Sequence, residues 1–359
     1  MKKALLGLVI ILAAGLTALL VTPSPIDAAA YTPPTPPAMD GPYAVNHKLD
    51  SATLLGQGEI LGAEDVDVDA FGRVYGATED GRIVRIDQSG NISTIANTGG
   101  RPLGLHWDDH GNLIICDAFK GLLSLAPDGT LTTLLTEVDG QKLVFTDDLE
   151  IDQNGIIYFS DASIKYDQRH YMLDMLESRP WGRLIAYDPA SGHARTLLDN
   201  LYFANGVALS KDQDFVLVNE TYRYQITRYW IRGPKQGQSE IFIDNLPGFP
   251  DGVSSSGRGT FWVALPTVRN PQADKLHPKP FLKNLVAKLP SFFSPKPQPY
   301  GLILELDEQG NVLRSLHDPE GDHFSFITSI QENAGTLYLG TLTGDSIARL
   351  PLQNDNDME

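Results

Sequence analysis

Glu64, Asp147, Asn205 and Asp251 each stand eight residues before a turn residue, in four of six similar stretches of this 359-residue chain. The stretches are EDVDVDAFGRVYGAT, LGLHWDDHGNLIICD, DDLEIDQNGIIYFSD, NGVALSKDQDFVLVN, DGVSSSGRGTFWVAL and ITSIQENAGTLYLGT, aligned on Gly72, Gly111, Gly155, Gln213, Gly259 and Gly335. Leu103 and Ile327 fill the register in the other two. A single such side chain reads as a turn cap, because Asp and Asn readily bond their own backbone two residues on. Four at one register read differently. In a radial array equivalent positions converge, and three carboxylates at one point repel until some protonate or a cation joins them. All-oxygen donors without His or Cys suit a hard divalent ion, calcium better than zinc, while magnesium usually keeps more of its water. Asp65 and Asp148 hold the next position, where three other copies have Gly104, Gly206 and Gly252. That pair would hold a second ion or cap local backbone N–H groups.

The elements that must position these groups are strands. Each copy is an apolar strand, a polar turn and a second strand rich in β-branched or aromatic residues, and further strand text follows, as in GRIVRID, GRLIAYD and YQITRYW. Units of about forty residues built this way predict an all-β, six-bladed β-propeller over residues 51–352. Two spacings are stretched, over 164–182 and 267–300, and each excess predicts an inter-blade insertion lying over one end of the channel as a lid. From Lys275 to Lys296 the second insertion carries five lysines and no acid, beside a helix-like apolar stripe of Phe281, Leu282, Leu285, Val286 and Leu289. It would lie in a membrane interface or roof the site.

Other chemistry is excluded or demoted. A formal charge of −17 leaves no basic face for nucleic acid. Cys116 is the only cysteine, so no intrachain disulfide forms, and its apolar strand setting makes it an inert buried thiol. GVSSSGRG lacks the spacing of a nucleophile elbow, and GQGEILG that of a dinucleotide fingerprint. DVDVDAFGRVYG resembles an EF-hand opening, but Ala70 and Gly76 occupy the required Gly and Glu slots. Strand alternation from Leu103 points His106 away from the axis. His170, in the first insertion, could reach the mouth as a substrate contact or proton shuttle, and His323 reads as a loop residue.

At the N-terminus, Lys2 and Lys3 precede the uncharged run ALLGLVIILAAGLTALLV from Ala4 to Val21. Its length approaches a bilayer span, so a hydrophobic helix is expected there, with 1–30 a retained signal anchor or a signal peptide cleaved after Ala30. Residues 31–50 read as a Pro-rich extended tether and 353–359 as a polar tail. The body is expected outside the cytoplasm, membrane-anchored or secreted.

GRPLGLHWDDHGNLIICDAFKGL, FANGVALSKDQDFVLVNET, GFPDGV and SLHDPEGDHFSFITSI together resemble the strictosidine synthase-like family, which includes the adipocyte plasma membrane-associated proteins, over about Gly41 to Leu352. That family is similar to gluconolactonase/senescence marker proteins and paraoxonases, six-bladed propellers with calcium in the channel. The resemblance implies that Glu64, Asp147, Asn205 and Asp251 match catalytic calcium ligands, and Asp65 and Asp148 a structural calcium site. Position 147 is usually Asn in the relatives; Asp there adds charge that tightens a cation and weakens its pull on a carbonyl. Gly252 stands where paraoxonases carry a further amide ligand, which would leave a coordination position to water or substrate. The activity implied is calcium-dependent hydrolysis of a small-molecule ester or lactone, of the arylesterase or lactonase kind, with Asp251 as ligand and base and Asp147 second in that role. The rivals are a non-catalytic calcium-stabilised binding propeller and a strictosidine synthase-type condensation of amine and aldehyde.

Overall fold

A computed structural model of the chain describes residues 19–290 and 296–352. Six four-stranded antiparallel sheets stand as blades around one axis. Their innermost strands are Val66–Val68, Pro102–Trp107, Thr146–Ile151, Ala204–Leu209, Val253–Ser255 and Ile327–Asn333. All six turn residues used to align the sequence, Gln213 included, adopt positive φ, between 56° and 92°. This left-handed backbone is why glycine dominates the position, and it fixes the register from blade to blade. In three copies the turn is closed by an Asp, for example Asp69, whose Oδ1 accepts from the backbone N–H groups of Phe71 and Arg73.

Sheets in a propeller bury both faces of their middle strands. Phe215–Glu220 is accordingly buried throughout, whereas the outer strand Ile92–Asn97 is half-open to water. The core is therefore split into layers between neighbouring blades. One joins Ile114, Cys116 and Leu122 of the second blade to Leu149, Phe159 and Ile185 of the third, so Cys116 is the inert core thiol expected. The ring is closed by Thr53–Leu55, which pairs antiparallel with Ile347–Pro351 as the outermost strand of the sixth blade.

Both insertions form lids, but they sit within blades, between the second and third strands of the third and fifth. Those connections lie at the same end of the channel as the start of the inner strands. The first holds the helix Tyr171–Glu177, the second the helices Pro271–Leu276 and Pro280–Val286. The extended segment before the propeller is docked rather than free. Ile26 and Ala28 are buried against Tyr166 and Leu176, with Leu276 and Val286 packed alongside. Arg269 and Asn245 donate to the Pro34 and Thr35 carbonyls at 2.6 and 2.9 Å. The lysines are not all solvated either. Lys283 is fully buried and donates to the Ala29 carbonyl (2.6 Å) and to Ser178 Oγ (2.8 Å). Most of the expected N-terminal helix lies outside the described residues, as does the 353–359 tail; among the described residues no helix is long and apolar enough to cross a membrane.

His277 belongs to the same knot, with Nδ1 3.2 Å from Ser178 Oγ. Burial first, then the charges of Lys283, Arg223 and Arg269, press its pKa down to about 3. The unfolded chain takes up this proton near pH 6.5 and the folded chain does not, so stability rises with pH across that window. Acidification from pH 6.5 towards 4 should cost about 1.4 kcal/mol per pH unit at this one site. Thermal melts of the wild type and His277→Gln should show the variant losing part of that slope; parallel slopes would contradict the assignment.

Candidate functional site

Glu64, Asp147 and Asn205 are buried and Asp251 half-buried, and all four line the floor of one cavity of about 520 Å³ beneath the lids. β-Bulges in the inner strands carry Asp147 and Asn205 there. Register shifts fall between Pro102 and Leu105, Thr146 and Leu149, Ala204 and Val207, and Ile327 and Ile330. An extra residue in one strand re-aims side chains, so two successive positions both turn toward the axis. Asp147 thus faces the upper cavity, and Asp148 joins a lower one of about 40 Å³.

The floor is strongly acidic. Burial first, then the charges of Asp147 and Asp251, raise the Glu64 carboxyl well above the usual range. Asp147 is raised by burial and by Asp251, and Asp251 is pushed up to about 7 by burial against the opposing hydrogen bond from Asn205. Arg101, buried, with Nη1 on the Gly62 carbonyl at 3.0 Å, is the cation whose charge reaches both Glu64 and Asp147. Asn205 Nδ2 donates to Asp251 Oδ1, while Asn219 Nδ2 holds the Asp251 carbonyl at 2.5 Å. Sequence reasoning missed Arg101 and Asn219: one precedes the shared register by two residues and the other lies on a second strand.

Asp65 and Asp148 show the backbone-capping arrangement. Asp65 accepts from the N–H groups of Val66 and Leu105, and Asp148 from those of Leu149 and Val207, all at 2.8 Å. Each carboxylate therefore clasps its own blade to the next. Gly252 has no room for a side chain. A Cβ there would lie 2.4 Å from the Thr328 carbonyl, because the sixth blade's backbone fills the space.

His170 is exposed on the first insertion between Gln168 and Tyr171, which line the cavity, and its Nδ1 lies 2.7 Å from Asp167 Oδ1. His106 faces the axis after all, since the bulge before Leu105 reverses the alternation counted from Leu103. It lines the lower cavity with Nε2 3.1 Å from Glu150 Oε1 and Nδ1 3.4 Å from Asp67 Oδ2, and those charges outweigh burial and raise its pKa. His323 is the loop residue expected, its Nε2 2.8 Å from the Ala52 carbonyl.

Above the floor the walls are apolar. Phe145 meets Phe203 edge-on at 5.3 Å between centroids, and Phe203 meets Tyr222 at 4.5 Å. Leu103, Met172, Met175 and Phe249 complete the chamber. The Tyr222 hydroxyl donates to the Tyr171 carbonyl at 3.0 Å, which ties the wall to the first lid. An all-oxygen acidic floor under an apolar chamber can hold a hard cation and receive a hydrocarbon-bearing ligand.

Known proteins share this architecture. A gluconolactonase from Xanthomonas campestris superposes with a TM-score of 0.62 over 93% of this chain and 99% of that one, at 16% identity. Regucalcin from Agrobacterium tumefaciens, a calcium-binding protein, gives 0.56 over 84% and 92%, at 15%. In sequence, the strictosidine synthase profile matches residues 147–234 and the strictosidine synthase-like N-terminal profile residues 41–86. The adipocyte plasma membrane-associated protein of Rattus norvegicus is 38% identical over 94% of this chain and 96% of its own length. Protein strictosidine synthase-like 6 of Arabidopsis thaliana is 36% identical over 87% and 85%. With such likeness spanning nearly the whole of both chains, and with the six blades in place, this protein belongs to the strictosidine synthase-like family of β-propellers.

Proposed function

We propose that this propeller is a calcium-dependent hydrolase of small esters or lactones, working outside the cytoplasm on a membrane anchor. The observation that carries the reading is the floor: three carboxylates and an amide from four different blades meeting at the base of an apolar chamber. The gluconolactonase and the calcium-binding protein among the fold neighbours, and the membrane association named for the rat relative, agree with it.

The residues present fit calcium by donor type. Burial leaves the carboxylates paired with one Arg and one amide, a set whose repulsion a divalent cation relieves. Among the described residues no three His, Cys, Asp or Glu side chains already form a metal-holding group. Asn205 turns its nitrogen to Asp251, and rotation about its last torsion would present Oδ1 in its place.

Glu64, Asp147, Asp251 and Asn205 Oδ1 would hold the ion. Bound calcium supplies Lewis-acid polarisation of a carbonyl and stabilises the charge developing on its oxygen. Asp251, the floor ligand most open to the cavity, accepts a proton from the attacking water at its carboxylate. Asn219 fixes that residue through its carbonyl. Phe145, Phe203, Tyr222 and the lid methionines receive the hydrocarbon part and exclude bulk water.

The test is the initial rate of aryl ester and lactone hydrolysis by the full chain in detergent, in calcium and in excess chelator. Chelation should lower the rate by about a hundredfold or more, the scale of losing an oxyanion stabiliser, and calcium should restore it. A rate indifferent to the chelator overturns the reading. No turnover, with a melting temperature that still rises on adding calcium, points to the binding propeller.

A further inference from the structure

We infer that the lid face seats on an anionic lipid bilayer, with Leu20, Val21, Phe281 and Leu282 entering the interface and the cavity opening toward the membrane. Scattered exposed apolar residues are ordinary, but these four gather around one element. Val21 is 74% exposed, Phe281 64%, Leu20 51% and Leu282 41%. Phe281 and Leu282 lie on the lid helix Pro280–Val286.

The place where the apolar N-terminal run meets the body is fixed beside that helix. Lys288 Nζ donates to the Leu19 carbonyl at 2.9 Å, and Ser24 Oγ donates to Asn284 Oδ1 at 2.9 Å. Ile26 and Ala28, just downstream, are buried among the lids. Leu19 to Val21, the last residues of the apolar run, are therefore fixed at the lid face without a slack tether. A segment of that length and apolarity enters a bilayer, and its docked end holds this face close to the lipid surface.

Charge selects the kind of surface. Lys275, Lys279 and Lys296 are exposed around the same lids, and the sequence from Lys275 to Lys296 has no acid, in a chain of net charge −17. Basic side chains at such a surface bind anionic headgroups while neighbouring aromatic and aliphatic groups enter the interface. Lys296, Gln272 and Tyr171 line the cavity, which places its opening among the residues facing the lipid.

The experiment uses the full chain in nanodiscs of phosphatidylcholine with and without phosphatidylserine. Thiols are introduced singly by Phe281→Cys and Phe71→Cys. Phe71 is 70% exposed in a turn at the far end of the channel, and native Cys116 is buried. In phosphatidylserine discs a membrane-impermeant maleimide should label the Phe281→Cys thiol more slowly than the Phe71→Cys thiol, on the order of tenfold. Adding Lys275→Glu and Lys279→Glu together should recover most of that roughly tenfold difference. Equal labelling of the two thiols, in variants with wild-type circular dichroism, overturns the docking. Slow labelling at 281 that ignores lipid charge overturns the anionic-surface assignment.

Discussion

Asp251→Ala should lower kcat/KM for an aryl ester or lactone by about 10³-fold or more, the combined scale of losing a charge stabiliser and a general base. The fold should survive, because Asp251 is one of several like charges crowded at the floor and burial already disfavours its ionised form. Circular dichroism and the calcium-free melting temperature should therefore be unchanged or improved. The rise in melting temperature on adding calcium should shrink in the same variant, since binding to the native state stabilises it in proportion to affinity. Asp251→Asn separates the two roles: an amide oxygen can still ligate, but it cannot take a proton, so calcium stabilisation should persist in part while turnover is lost. Retained turnover in Asp251→Ala would remove this residue from the mechanism.

Removing residues 1–30 should unlock the lids while leaving the blades folded, whereas a chain beginning at Thr22 should keep both. The longer deletion strips Ile26 and Ala28 from their buried cluster and takes away the Ala29 carbonyl that accepts from Lys283. Burying an isoleucine contributes about 1.5–3 kcal/mol, and losing one of the two hydrogen bonds of a buried ammonium costs about 1.5–3 kcal/mol. Burial already lowers the Lys283 pKa to about 8, so the ammonium has little tolerance for losing a partner. Hydrogen exchange should quicken in Tyr171–Glu177 and Pro280–Val286 and stay slow in Phe215–Glu220. Lys283→Met in the shortened chain should recover part of the loss, because no under-solvated buried charge remains. Equal lid protection in the two truncations would show that the strap does not stabilise the lids.

The blades were legible because each carries its own local record. A turn residue at positive φ with an apolar strand on either side repeats six times, five of them with an Asp or Ser three residues before the turn, and that repetition set the register that placed Glu64, Asp147, Asn205 and Asp251 on one floor. What escaped was set by contacts between distant segments. The bulge before Leu105 has no single-residue signature, so simple alternation aimed His106 the wrong way. Gly252 looked like a missing ligand in isolation, yet its size answers to the Thr328 carbonyl of the next blade. The Pro-rich stretch has the composition of a linker and is docked by partners, such as Arg269, that lie far away in sequence. Lys283 is one of five lysines in its stretch, and no neighbour in sequence marks it as the one that the strap and Ser178 enclose.

The strand Thr53–Leu55 also decides when this protein can finish folding. Its partner, Ile347–Pro351, lies at the opposite end of the chain. During synthesis the first five blades emerge with their own four strands complete, but the circle stays open until the final stretch is released. Until then the early strand has an unpaired edge, open to mispairing with other chains. Once latched, neither terminus can peel a blade away by itself, since the sixth blade holds both. The ring then opens only by breaking a junction between blades, and unfolding becomes a single event for the whole circle rather than erosion from its ends.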